Sequence, residues 1–171
     1  MFEGRPTTPM GSDNYLHAGY GLSDCSAEVD NVKVARTLVQ FDLSTLPASY
    51  IKRATLNIKE IGYCGWEGAA YPAITAYRVA GTWNADTVTW NTAPVPADGF
   101  GSATINHNDG SWDWYEIDVT GLVNQWLQGT PNYGLMLRGH EANDSNANIV
   151  SFLAYGTGYG PYLVVEYYGE Q

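Results

Sequence analysis

Arg36-Thr37-Leu38-Val39-Gln40-Phe41-Asp42-Leu43-Ser44-Thr45-Leu46-Pro47 decides the fold class. Thr37, Val39 and Phe41 alternate with Leu38, Gln40 and Asp42, the period of two that a pleated strand imposes. Asp42, Ser44 and Pro47 then end it with a tight polar exit. The same grammar returns in Ala54–Lys59, Gly134–Arg138 and Tyr162–Tyr167. Strands are expected at Tyr15–Tyr20, Val32–Leu43, Ile51–Tyr63, Pro72–Val79, Trp112–Ile117, Gly134–Gly139, Ile149–Tyr155 and Tyr162–Tyr168. Asn, Asp, Gly and Pro clusters separate them, which predicts an all-β antiparallel sandwich.

One segment has helical spacing. In Thr120–Gly129, Leu122, Val123, Trp126 and Leu127 share a face, Thr120 or Asp118 can cap the start and Gly129 can close the end. A short helix that plugs one end of the sandwich is expected there.

With 171 residues, no linker, no repeat and no low-complexity tract, residues 1–171 read as a single domain able to bury a full core. Charged residues make up only 15%, against 19 glycines and 13 tyrosines, a composition suited to turns and strands. The net charge of −10 repels phosphate backbones and anionic lipid, so nucleic acid is a poor partner. No apolar run approaches the ~20 residues that span a bilayer, so no direct membrane insertion is expected. Met1-Phe2-Glu3-Gly4-Arg5-Pro6 lacks the apolar core of a secretory signal, and the chain reads as a mature or excised domain.

Cys25 and Cys64 are the two cysteines. If the strands at 33–42 and 53–62 are antiparallel neighbours, both lie at the same end of the sandwich. A disulfide there would close a loop worth about 3–4 kcal/mol and imply an oxidising compartment. The alternative is two unpaired thiols.

The order of segments carries further information. Gly11-Ser12-Asp13-Asn14-Tyr15-Leu16-His17-Ala18-Gly19 precedes the Arg36–Pro47 stretch, and Ala54-Thr55-Leu56 and Ile74-Thr75-Ala76-Tyr77-Arg78-Val79 follow it. Next comes Trp83-Asn84-Ala85-Asp86-Thr87-Val88-Thr89-Trp90-Asn91, with Pro94 behind it. The chain closes through Asp118-Val119-Thr120, Trp126, Gly129, Asn132-Tyr133-Gly134-Leu135 and Pro161-Tyr162-Leu163-Val164-Val165. From about residue 3 to 168 this succession resembles the DNRLRE-type, or disaggregatase-related, domain, which is grouped with carbohydrate-binding modules. The resemblance implies a jelly-roll-like β-sandwich on a secreted or cell-surface prokaryotic protein, mostly without catalytic activity. Two departures stand out. Ser151-Phe152-Leu153-Ala154-Tyr155-Gly156 lacks the Arg-Glu pair that usually follows the Phe, and the chain begins in the middle of the family's first strand.

No nucleophile elbow, phosphate loop or Cys-x-x-Cys is present, so an enzyme is not expected. His17, His107 and His140 lie in unrelated segments and are expected as exposed or strand-edge residues. Aromatic rings are the usual carbohydrate tools, because a sugar's C–H face stacks on a flat ring while Asn, Asp and Arg bond its hydroxyls. Trp66, Tyr63, Tyr71, Trp112, Trp114 and Tyr159 are the candidate carbohydrate or protein contacts, with Tyr155 and Tyr162 also available. Trp66 sits in a glycine-rich loop beside Cys64, and Trp112 and Trp114 share a strand face. Trp83, Trp90 and Trp126 belong to the family motifs and are expected in the core.

Calcium is the candidate cofactor, at oxygen-rich clusters containing Asp24 and Asp30, and Glu141, Asn143 and Asp144; the same residues suit Asx turns. The expected partner is a polysaccharide or glycan. The rival is copies of the chain itself, because a sandwich lacking part of an edge strand can be completed by strand addition into a filament or adhesin.

Overall fold

The computed structural model describes residues 1–21, 33–46, 50–65, 69–106, 112–154 and 156–168. Along the chain run β1 (Tyr15–Gly21), β2 (Lys33–Ala35), β3 (Thr37–Val39), β4 (Ile51–Gly65), β5 (Ala73–Val79), β6 (Pro96–Thr104) and β7 (Trp114–Asp118). They are followed by α1 (Thr120–Leu127), β8 (Leu135–Arg138), β9 (Asn148–Leu153) and β10 (Tyr162–Tyr167). The large sheet is ordered β10-β4-β9-β1-β2 with β7 also on β4; the small sheet is β3-β8-β5-β6. Every pairing is antiparallel. The expected all-β sandwich with one helix is what the chain forms.

β4 organises the large sheet. Its first half pairs with both β7 and β10, and past a register shift between Glu60 and Gly62 its second half pairs with β9. Ala54, Leu56 and Ile58 alternate into the core and meet Ile74, Ala76, Leu135 and Leu137 of the small sheet. Each such Leu or Ile contributes roughly 1.5–3 kcal/mol by leaving water. Leu122, Val123 and Trp126 of α1 pack into the same core, as their shared helical face predicts. Asp118 Oδ1 accepts the Thr120 N–H (2.9 Å) at the start of α1, and Gly129 at φ +101° donates to the Trp126 carbonyl (3.1 Å) beyond its end. Both expected helix stops therefore act.

The founding stretch differs from its reading in one respect. Val32–Leu43 is not a single strand: β2 belongs to the large sheet and β3 to the small one, with Arg36 as the corner between them. At that corner the Thr37 hydroxyl accepts the His17 N–H (3.1 Å) and donates to the His17 carbonyl (2.9 Å), replacing the ladder partner that β1 loses. The corner also removes the premise for the cysteine reading, because β9 and β1 lie between β4 and β2. β6 was missed; Pro96, Gly99 and Gly101 weaken its pattern, but it lies at the sheet edge, where glycine and proline are tolerated.

Arg36 is held electrostatically. Glu141 takes Arg36 through Nε and Nη2 (both 2.8 Å) and Arg138 through the same pair of nitrogens (2.8 and 2.6 Å). Trp90 covers Arg36 at 4.6 Å, and the Tyr77 ring lies 5.1 Å from the Arg138 guanidinium. Burial pushes the Glu141 carboxyl up, but its hydrogen bonds and charge pairing with Arg36 and Arg138 overcome this and bring it to about 2.

Opposite, an apolar cleft of about 660 Å³ opens between the free edges of β3 and β10, lined by Leu16, Leu38, Phe41, Leu46, Leu163 and Val165 among others. The Gly134 carbonyl bonds the Val79 N–H, so alternation turns Leu135 and Leu137 toward β3 and the Leu38 amide and carbonyl toward the open edge. Met1 lies along that same edge, exchanging hydrogen bonds with Arg36 in both directions (2.9 and 3.1 Å).

Replacing Glu141 by Gln should cost about 2–3 kcal/mol in urea unfolding, because two partly buried guanidiniums lose their shared anion. In the parent, the folded carboxyl titrates below its ordinary 4.5, so its contribution is complete above pH 4.5 and lost as pH falls toward about 2. The variant should lack that acid-side slope.

Candidate functional site

Several of the exposed aromatic residues gather on the outer face of the large sheet. Cross-strand register explains why. Lys59 pairs with Trp114, Asn57 with Glu116 and Tyr162, and Thr55 with Asp118 and Val164, so these side chains stand on one face of three strands. Trp114 and Tyr162 meet edge-to-face at 5.0 Å between centroids and 69° between planes. They remain 40% and 44% exposed, which leaves ring surface free for a ligand.

Tyr159 joins them from the loop between β9 and β10. Gly156 and Gly158 take positive φ (+98° and +84°), and the Thr157 hydroxyl donates to the Ala154 carbonyl (2.8 Å) while accepting the Tyr159 N–H (3.3 Å). This turn brings the Tyr159 ring to 4.2 Å from Lys59 Nζ, which also lies 5.8 Å from the Trp114 ring centre. A cation over exposed rings stabilises by about 0.5–1 kcal/mol and holds the two aromatics in register. Trp112 is 59% exposed. Glu60 N–H bonds the Asp113 carbonyl (2.9 Å), extending the ladder past Trp114, and alternation then keeps Trp112 on the same face as Trp114.

Of the six expected contact residues, Trp112, Trp114 and Tyr159 belong to this face, and Tyr162 completes it. Tyr63 and Tyr71 lie elsewhere. Tyr63, opposite Val150, is half-buried against the core, and burial first and Tyr71 second raise its hydroxyl above the ordinary tyrosine range. Tyr71 is exposed and lines a smaller cavity of about 350 Å³. Trp66, Tyr155, Cys25, Asp24, Asp30 and His107 lie outside the described residues. Lys59 was not anticipated. Its signal was only its place two residues after Asn57 in an alternating strand.

Cys64, opposite Ile149 on β4, is not a free thiol. Asn143 is exposed. Asp144 Oδ1 accepts the Asn146 N–H (2.8 Å) and meets His140 Nε2 (2.8 Å), and these hydrogen bonds hold its carboxyl below the ordinary range. Glu141, the third oxygen ligand read into that segment, is taken up by its two arginines. Among the described residues no three His, Cys, Asp or Glu side chains converge. His17 departs from expectation: it is buried, and burial first and the Met1 ammonium second bring it down to about 4. Trp126 is in the core as expected. Trp83 is half-buried and donates to the Tyr133 carbonyl (2.7 Å), and Trp90 is half-buried over Arg36.

The sequence profile of carbohydrate-binding module family 96 matches residues 7–167. The chain belongs to this family. Carbohydrate-binding module families generally hold carbohydrate rather than transform it. Among curated proteins no significant match is found. No helix among the described residues is long and apolar enough to cross a membrane.

Proposed function

We propose that this family 96 module, of DNRLRE type, is a non-catalytic extracellular attachment domain that holds a polysaccharide on the outer face of its large sheet. The observation that carries the reading is the Trp114–Tyr162 pair, bridged through Lys59 to Tyr159. A sheet face is flat along its strands, so rings rooted in adjacent strands form a shelf rather than a socket. Sugar C–H faces stack on such rings while Lys59 and Glu116 supply neighbouring polar groups. We also propose that Cys64 pairs with Cys25, the other cysteine of the chain, as suits a secreted domain.

A second reading, self-assembly into a filament by strand addition, draws on the open β3 edge beside the apolar cleft. A strand from another copy would satisfy the outward amide and carbonyl of Leu38 and cover Leu163 and Val165.

Three measurements test these readings. The Trp114→Ala/Tyr162→Ala variant should lose retention on insoluble polysaccharides by about tenfold or more, equivalent to ~1.4 kcal/mol, with an unchanged circular dichroism spectrum. Undiminished retention on every polysaccharide the parent binds removes the platform. Thiol titration of the denatured, unreduced protein should find no free thiol, and two after reduction. Light scattering across a concentration series should show growing particles if strand addition operates, and Leu38→Pro should abolish them; a constant monomer mass rules that reading out.

A further inference from the structure

On the opposite side of the sandwich from the aromatic shelf's strands β7 and β10, the cavity of about 350 Å³ is built from a different set of residues. Tyr71, Tyr77, Arg138, His140, Asn146 and Asn148 line it. They come from β5, β8, β9 and the segments flanking them, so the site exists only once both sheets are assembled.

Two properties define its chemistry. The first is that its charged side chains are already engaged. Arg138 spends Nε and Nη2 on Glu141, which it shares with Arg36, and His140 Nε2 meets Asp144. The net charge of −10 disfavours an anionic ligand. Arg138 Nη1 remains as a donor fixed by the fork it makes with Glu141, and His140 Nδ1 is the ring nitrogen not held by Asp144. The second property is an unmet acceptor. Asn148 is 1% exposed, its amide donates to the Asn146 carbonyl (2.6 Å), and its Oδ1 has no partner in the structure. A buried carbonyl left this way is destabilising unless a ligand or water supplies a donor.

Aromatic walls complete the set. Tyr71 is 47% exposed at the rim, and Tyr77 lies against the Arg138 guanidinium at 5.1 Å. We infer that this cavity is a second carbohydrate site, one that takes a single neutral sugar residue or a short oligosaccharide end. Its volume lies near the lower limit of ~300–1,000 Å³ for small-molecule sites, which fits one or two rings and not a continuous chain. Hydroxyls of such a ring meet the polar lining, and its C–H face meets Tyr71. The inference takes its ligand class from the attachment reading but does not depend on the shelf.

The test uses saturation-transfer NMR of the whole chain with glucose, galactose, mannose, fucose, cellobiose and maltose, alongside retention on insoluble polysaccharide. At least one of these sugars should give a saturable signal. Tyr71→Ala should weaken it by about tenfold, Tyr71→Phe should keep it, and Trp114→Ala/Tyr162→Ala should leave it within about twofold. Absence of any signal overturns the site. Loss in the Trp114/Tyr162 variant with retention in Tyr71→Ala also overturns it, because the sugar is then on the shelf. Failure of the shelf reads out separately, as undiminished retention of that double variant on the insoluble polymers.

Discussion

The molecule depends on one corner. Between Ala35 and Thr37 the chain leaves one sheet for the other, and a residue at such a crossing loses the ladder bonds that would otherwise hold it. Arg36 solves this twice over. Its backbone exchanges hydrogen bonds with Met1, and its side chain enters a two-point grip with Glu141 that Arg138 mirrors. Glu141 follows β8, the strand that β3 joins, so the ion cluster fastens the corner to the sheet it enters. Desolvating a carboxylate opposes this arrangement. Two charge-assisted forks outweigh that opposition, which is why the carboxyl ends well below its ordinary range.

From that corner the two faces of the sandwich acquire different characters. The large sheet needs its inner face for the core, so the outward residues of β4, β7 and β10 are free to carry rings and charges. Rigidity comes from the ladder beneath them. Trp114, Tyr162 and Lys59 are rooted in paired strands, and only Tyr159 depends on a loop, which two positive-φ glycines and the Thr157 hydroxyl hold in shape. Such a surface resists rearrangement and binds by presenting area already organised.

The cavity near Tyr71 works by a different principle. There the same Glu141 that secures the corner also fixes Arg138, so a structural ion cluster orients a group at the cavity wall. Stability and recognition share one residue. The lining is polar, and the acidity of the whole chain disfavours an anionic ligand there.

Much was legible from the residues. Period-two alternation located β1, β4, β5, β8, β9 and β10, and the Leu122–Leu127 face located α1, because a strand or helix buries one side and its sequence must repeat accordingly. Motif order pointed to carbohydrate-binding modules. What local periodicity could not carry was the break at Arg36. A strand that crosses between sheets keeps its alternation on both sides, so the change of partner leaves no mark in the pattern. Nor could it separate Trp112, Trp114 and Tyr159 from Tyr63 and Tyr71, since all five are aromatic residues in strands or adjoining segments. Their grouping follows from register: Lys59 opposite Trp114 and Asn57 opposite Tyr162 are long-range pairings, and only the assembled sheets decide them.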